Sequence, residues 1–324
     1  MSVSWRHRWR SLLPLTLLTV GCTYALASWN WCGRWGRGEP VVVGQGHAEG
    51  PLKAGAARVA LAPPYPVVVA GYGPFLPEAT GAALPAQARA VVLAAGDVKV
   101  GVVSLELMLA PDALVAAVRA RTAELGLGAV LVVATHTHSS FGGYDARLAA
   151  QLGGTGRFRE DSLKAVVEGA HEALRRAASG LTEVSLEVGQ ARESGLVRAR
   201  SEGEAPDGDL THVVLRGAEG PVAELLLFAA HPTLVPRKRG VVDPDWPGRV
   251  SALREAAGGV TLVLQGASGN ASAVWDGGEG LERVAAYAGA VAELAERAAP
   301  SRVEPSGLGF ARVEVALPRP DASR

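Results

Sequence analysis

Residues 129–134 read Ala-Val-Leu-Val-Val-Ala and run directly into Thr-His-Thr-His at 135–138. An unbroken apolar hexapeptide rich in valine predicts a strand buried on both faces, and such strands belong to sheets covered by helices. The flanks agree. Pro111 at a first helical position opens a helix to about Leu125, and a second helix is predicted from about Arg159 to Ala178. The last third repeats the alternation with a helix from Pro247 to about Ala257, a strand at Val260–Gln265 and a helix from Leu281 to Ala298. In that last helix Leu281, Val284, Ala288, Val291 and Ala295 recur at helical spacing. Arg89–Ala94 and Val98–Ser104 flank Gly96-Asp97 and read as a hairpin. Short strands are predicted at Arg58–Ala62 and Val67–Ala70 and near 182–191, 211–216 and 223–230. No internal repeat is evident, and the pattern predicts one α/β domain, a mixed β-sheet flanked by helices. That domain spans 56–324, after a Gly-rich linker over 33–55.

Composition narrows the function. With 324 residues, 48% hydrophobic and 20% charged, the chain has ample material for a core. Its 32 basic and 32 acidic side chains leave no positive excess to draw it onto nucleic acid, so a nucleic-acid partner is not expected. Both cysteines, Cys22 and Cys32, fall near the N-terminus. The body therefore has no thiolate site, and any metal must be held by histidine and carboxylates. Arg6, Arg8 and Arg10 precede an uncharged apolar run from Ser11 to Ala27, the layout of an export signal or anchor over 1–32. Cleavage after Ala25-Leu26-Ala27, retention in the membrane near Trp29 and Trp31, and lipidation at Cys22 are the three fates this layout allows. The expected location is exported: periplasmic, secreted or membrane-attached.

Three strand ends gather the polar residues, which is where open α/β sheets place ligands. The first is Thr135 to Tyr144, where His136 and His138 lie two apart and share a face if extended. The second is Ala230-His231-Pro232-Thr233, and the third is the small-residue turn Gln265-Gly266-Ala267-Ser268-Gly269-Asn270, whose amides could approach an oxyanion. Three of the seven histidines at strand ends point to zinc or a similar ion. His7, His47, His171 and His212 are expected in structural or solvated roles. The third turn lacks the G-x-S-x-G spacing of a serine-hydrolase elbow.

These segments, taken with Ala56-Ala57-Arg58-Val59, Gly71-Tyr72-Gly73, Val102-Val103-Ser104-Leu105-Glu106 and Asp243-Pro244-Asp245-Trp246-Pro247-Gly248, resemble the N-terminal part of the neutral/alkaline ceramidase family from Ala54 to about Ala316. The resemblance implies a zinc-dependent amidase acting on the N-acyl bond of a lipid or other acylamide. It makes His136 and His231 zinc ligands and His138 a pocket histidine. Ser272 falls where the family carries a serine regarded as nucleophile, and Arg198 or Arg200 in a basic, substrate-facing segment. Gly266 and Asn270 belong to the substrate-binding turn, with Asn270 where relatives usually carry Asp. The family completes its zinc site with a Glu and a Tyr well beyond the second histidine, and neither is found before Arg324. Asp245 or Glu106 is then expected to lie nearest the metal and move the proton, or a second chain to complete the set. The family's immunoglobulin-like C-terminal domain is not found either. The rival reading is a catalytically silent, membrane-anchored binding or scaffold protein that keeps the fold.

Overall fold

The structure is a computed structural model that describes residues 17–23, 39–73, 77–203, 205–237 and 240–315. Most of the segment expected to be a signal or anchor lies outside those residues. Its described part, 17–23, is helical, and among the described residues no helix is long and apolar enough to cross a membrane. The chain divides into two compact units. The first comprises residues 1–45 and 311–324, the second Gly46–Phe310. Strands β1 (Val41–Glu49) and β16 (Gly307–Glu314), which pair with each other, run across both boundaries.

The larger unit is built twice over from one plan. In its first half, β2 (Lys53–Ala60), β5 (Gln87–Ala95) and β6 (Val98–Leu105) pair antiparallel in turn, after a small ribbon of β3 (Val67–Val68) and β4 (Glu78–Ala79). Helix α1 (Asp112–Arg121) then crosses over to β7 (Ala129–Ala134), which lies parallel to β6. Helix α2 (Glu160–Ser179) returns across the sheet to the edge strand β8 (Thr182–Glu183) on β2. The second half repeats this with β9 (Ser185–Arg192), β11 (Asp209–Gly217) and β12 (Gly220–Phe228) antiparallel. Between β9 and β11 lies β10 (Val197–Ala199). Helix α3 (Asp245–Glu255) crosses to β13 (Val260–Gln265), parallel to β12; β14 (Ala271–Ala273) pairs with β10; and helix α4 (Gly280–Arg297) returns to edge strand β15 (Ser301–Val303) on β9.

The expected single mixed sheet is therefore two five-stranded sheets, ordered β7-β6-β5-β2-β8 and β13-β12-β11-β9-β15. Each has one helix-covered face. Val166, Ala170, Ala173, Leu174 and Ala177 form the apolar stripe of α2 that packs on the first sheet, and Val284, Ala288, Val291 and Ala295 do the same for α4 on the second. The other faces pack on each other through Ala54, Val91 and Val102 from one sheet and Leu215, Ala223 and Leu262 from its mate. Four layers result. They expose another difference from expectation: β7 is an edge strand with Leu131 51% exposed, so it is not buried on both faces. The stretch 33–55 also holds β1 and the start of β2, because its Val41-Val42-Val43 and Ala54 find pairing partners that local Gly content does not reveal. Elsewhere the local patterns hold: β7 and β13 have the predicted bounds, and the hairpin turns at Gly96-Asp97. Helices α2, α3 and α4 lie within two residues of expectation.

Candidate metal centre

In both halves the parallel strand pair ends at the same rim, and there the three strand-end histidines meet. His136 follows β7 with φ at 66°, a left-handed backbone that a non-glycine residue adopts only when its surroundings impose it. Its Nδ1 lies 2.7 Å from the Met108 carbonyl oxygen. His138 Nδ1 lies 2.8 Å from Gly71 O, and His231 Nδ1 lies 3.3 Å from Ser268 O. A carbonyl only accepts, so each Nδ1 carries the ring proton and each Nε2 presents a lone pair. The Nε2 atoms of His138 and His231 are 2.9 Å apart, and those of His136 and His138 are 3.5 Å apart. One ring nitrogen from each residue lies within 4.8 Å of the others, and among the described residues these three form the group able to hold a metal. Three converging lone pairs repel one another but suit a divalent cation.

Burial, the dominant cause, pushes the His138 and His231 pKa values down to about 4, with the neighbouring imidazoles and Arg200 adding to it against the carbonyl hydrogen bonds. Both rings are neutral near pH 7, the form a metal requires. Gly71 is required here: its φ is +132°, and a Cβ would sit 2.6 Å from the His138 Cβ.

The histidine loops are braced from behind. The His138 N–H donates to Pro232 O at 3.2 Å, joining the two motifs. Ser139 Oγ donates to Asp243 O at 2.9 Å, and Asp243 N–H returns a bond to Ser139 O at 2.8 Å. The buried Asp243 carboxylate is clamped by Arg249, whose Nη2 is 2.8 Å away. Asp245, also left-handed at φ 57°, accepts from Val235 N–H at 2.9 Å and from Trp246 N–H at 2.7 Å. Burial raises its pKa to about 6 against those two bonds.

The carboxylates expected nearest the metal are thus placed elsewhere. Asp245 ties the loop after His231 to the start of α3. Glu106 is buried against Arg89 and accepts from Gln87 N–H at 2.7 Å, while Arg89 Nε also reaches Glu255 at 2.7 Å. Neither joins the histidine group. All three histidines come from one chain, so the set reaches three nitrogens without a second chain.

Ser272 sits on β14 in a bridge pair with His231, and its Oγ accepts from Arg200 Nε at 3.0 Å. Arg200 N–H donates to Asn270 O at 2.7 Å, which ties the 265–270 turn to β10. Arg198 pairs with Ser272 through the backbone. Both arginines are exposed, and it is Arg200 whose side chain reaches the Ser272 hydroxyl, so of the two it is the one at the site. Gly266 is exposed at the turn, and its N–H is spent on Phe228 O at 3.0 Å.

Two residues at the centre carried no role in the sequence reading. The Tyr72 ring lies 5.3 Å from that of His138, and the Arg237 guanidinium stands 5.2 Å from the Tyr72 ring centroid. Burial foremost, then Asp245, pushes the Tyr72 phenol up to about 12 against the pull of Arg237 and Arg200. The signals available were Gly71-Tyr72-Gly73 and the basic run Arg237-Lys238-Arg239. Of the remaining described histidines, His171 bonds Glu124, His212 is buried between Ala295 O and Glu224, and His47 is exposed on β1.

A doubled α/β sandwich thus brings three imidazoles together where its halves meet, a group that could hold a metal ion. The chain belongs to the neutral/alkaline non-lysosomal ceramidase family, whose N-terminal model matches residues 60–266. The fold is similar to the crystal structure of neutral ceramidase from Pseudomonas aeruginosa, with TM-score 0.71 and 22% identity over 77% of this chain and 45% of that one. A ceramidase complexed with C2 is similar at TM-score 0.70 and 22% identity, over 77% of this chain and 44% of that one. The chain thus spans less than half the length of these relatives. No curated protein matches it.

Proposed function

We propose that this chain is an exported, zinc-dependent hydrolase of the C–N amide bond in a lipid or other N-acylated small molecule. The observation that carries this is the convergence of His136, His138 and His231 within a ceramidase-family fold. Three converging imidazole nitrogens are a donor set that catalytic zinc takes. When bound, zinc polarises the amide oxygen and lowers the pKa of water. Export is supported by the basic N-terminus and the apolar run behind it.

The chain's own residues prepare the site. Carbonyls of Met108, Gly71 and Ser268 fix each imidazole tautomer and orientation. Ser272 Oγ takes its hydrogen bond from Arg200 as acceptor, which leaves the hydroxyl proton to donate to a substrate atom beside His231. Tyr72, protonated at neutral pH, is a second donor placed next to His138. An acyl chain has a landing at the helical segment 148–155, where Leu148 is 70% and Leu152 61% exposed, one turn apart. That segment packs on the site: Gly154 O accepts from Gly71 N–H at 2.8 Å. Both solved relatives are ceramidases, which supports an N-acylated lipid as the substrate class.

The test is elemental analysis of the full chain dialysed against trace zinc, run beside turnover of an acylamide panel. About one zinc per chain, lost with turnover in His136→Ala and His231→Ala, is expected. Turnover that survives both changes removes the zinc mechanism, and a well-folded zinc protein silent on every amide makes the chain a binding protein.

A further inference from the structure

The histidine cluster is flanked by two exposed guanidinium groups that no carboxylate answers among the described residues. Arg200 stands on the His231 side, its Nε on Ser272 Oγ at 3.0 Å and its Nη1 on Gly269 O at 3.5 Å. Arg237 stands on the His138 side, over the Tyr72 ring, with its Nη2 on Tyr72 O at 2.6 Å. Among the described residues neither makes an ion pair, whereas the packed arginines Arg89, Arg249 and Arg254 each face a carboxylate. The acids close by are already committed. Asp243 is neutralised by Arg249, and both Asp245 oxygens are held by backbone N–H groups. The rim is therefore positive before any cation enters, and a divalent metal on the three imidazoles makes it more so. Arg237 also opens an Arg-Lys-Arg run in the sequence.

A neutral amide offers such a rim a single strong acceptor, its carbonyl oxygen. Two guanidinium groups, each a fork of N–H donors, are matched by an acid group. The apolar landing at Leu148 and Leu152 serves the acyl half, which leaves the charge to the amine half. We propose that the substrate is an N-acyl amide whose amine half carries an anionic group, carboxylate, phosphate or sulfonate, that is bound by Arg200 and Arg237 beside the three histidines. This rests on the amide-hydrolase reading for the bond that breaks, but its binding component is tested separately.

The experiment is equilibrium binding of matched dodecanoyl amides to the zinc-equilibrated full chain by calorimetry, below their aggregation limits. N-dodecanoylglycine, N-dodecanoyltaurine and N-dodecanoyl phosphoethanolamine are the acid arms, and N-dodecanoylethanolamine is the neutral one. At least one acid amide is expected to bind roughly tenfold or more tightly than the neutral amide, and the rank of the three says which acid the rim takes. Arg237→Gln and Arg200→Gln should each shrink that preference to about threefold or less. Arg237→Lys, which keeps the charge but loses the fork, should retain part of it. Equal affinity for acid and neutral amides, a preference unchanged in Arg237→Gln, or no binding of any of them overturns the proposal. Acid-selective binding with no hydrolysis of any amide would instead remove the amidase function and leave the anion site standing.

Discussion

The two halves of the larger unit share a topology, yet they feed the histidine cluster from different strands. In the first half two imidazoles come from the loop after β7: Met108 O, from the loop after β6, orients His136, and Gly71 O, after β3, orients His138. In the second half the roles are exchanged: His231 comes from the loop after β12, and its carbonyl, Ser268 O, from the loop after β13. For His136 and His231, then, one loop of the parallel strand pair supplies the ligand and the other sets its tautomer. The exchange has consequences. Where the second half places His231, three residues beyond its strand, the first has Met108, and the nearby Glu106 turns back into an ion pair with Arg89. Where the first half places its histidine motif after β7, the second has the small-residue turn 265–270. Two copies of the first half would bring four imidazoles to one rim, and two copies of the second only two. Divergence gives three.

The comparison breaks most visibly at the ligands. His136→Ala and His231→Ala, one from each half, should each abolish stoichiometric zinc and lower amide turnover by about a hundredfold or more, measured by elemental analysis and kinetics. Unequal losses would show that one half dominates. The next largest effect falls on the brace that the second half lends the first. Asp243→Ala leaves Arg249 without its carboxylate and should cost about 3 kcal/mol in urea unfolding. Asp243→Asn, which keeps one acceptor, should cost less.

A smaller effect is predicted in pH. His138 and His231, with pKa values near 4 when folded against about 6.5 unfolded, bind fewer protons in the native state than in the unfolded one. The metal-free chain should therefore lose stability as pH falls from about 6.5 to about 4. Asp245, raised to about 6, acts in the opposite sense over about 4 to 6 and offsets part of that slope. Urea midpoints at pH 4.5 and 7 should differ less in a His138→Gln, His231→Gln double variant and more in Asp245→Asn. Smallest of all, Tyr72→Phe removes one donor and should lower turnover by about tenfold with zinc content unchanged.

Much of this was legible along the chain. The bounds of β7 and β13, the Gly96-Asp97 hairpin and the long helices follow from apolar periodicity and turn residues, which are local properties. His136, His138 and His231 stood out because histidines that cap apolar strands have no packing reason to be there. The doubled sheet was not legible. A strand's pattern shows which face is apolar but not which sheet it joins, and the second half repeats the topology of the first without an evident sequence repeat. Glu106 and Asp245 were misplaced for a related reason: a carboxylate near a motif in sequence is claimed by whichever cation or N–H lies nearest in space, here Arg89 and the amides of Val235 and Trp246.

The sequence by itself determined the elements, the strand-end histidines and the exclusion of thiolate chemistry, because spacing and residue type act over a few residues. Only the tertiary structure decided that three nitrogens converge, that Arg200 rather than Arg198 reaches Ser272, and that Tyr72 and Arg237 flank the cluster. Those outcomes depend on contacts between segments 67 to 165 positions apart, and local pattern carries no information about which distant carbonyl will turn an imidazole inward.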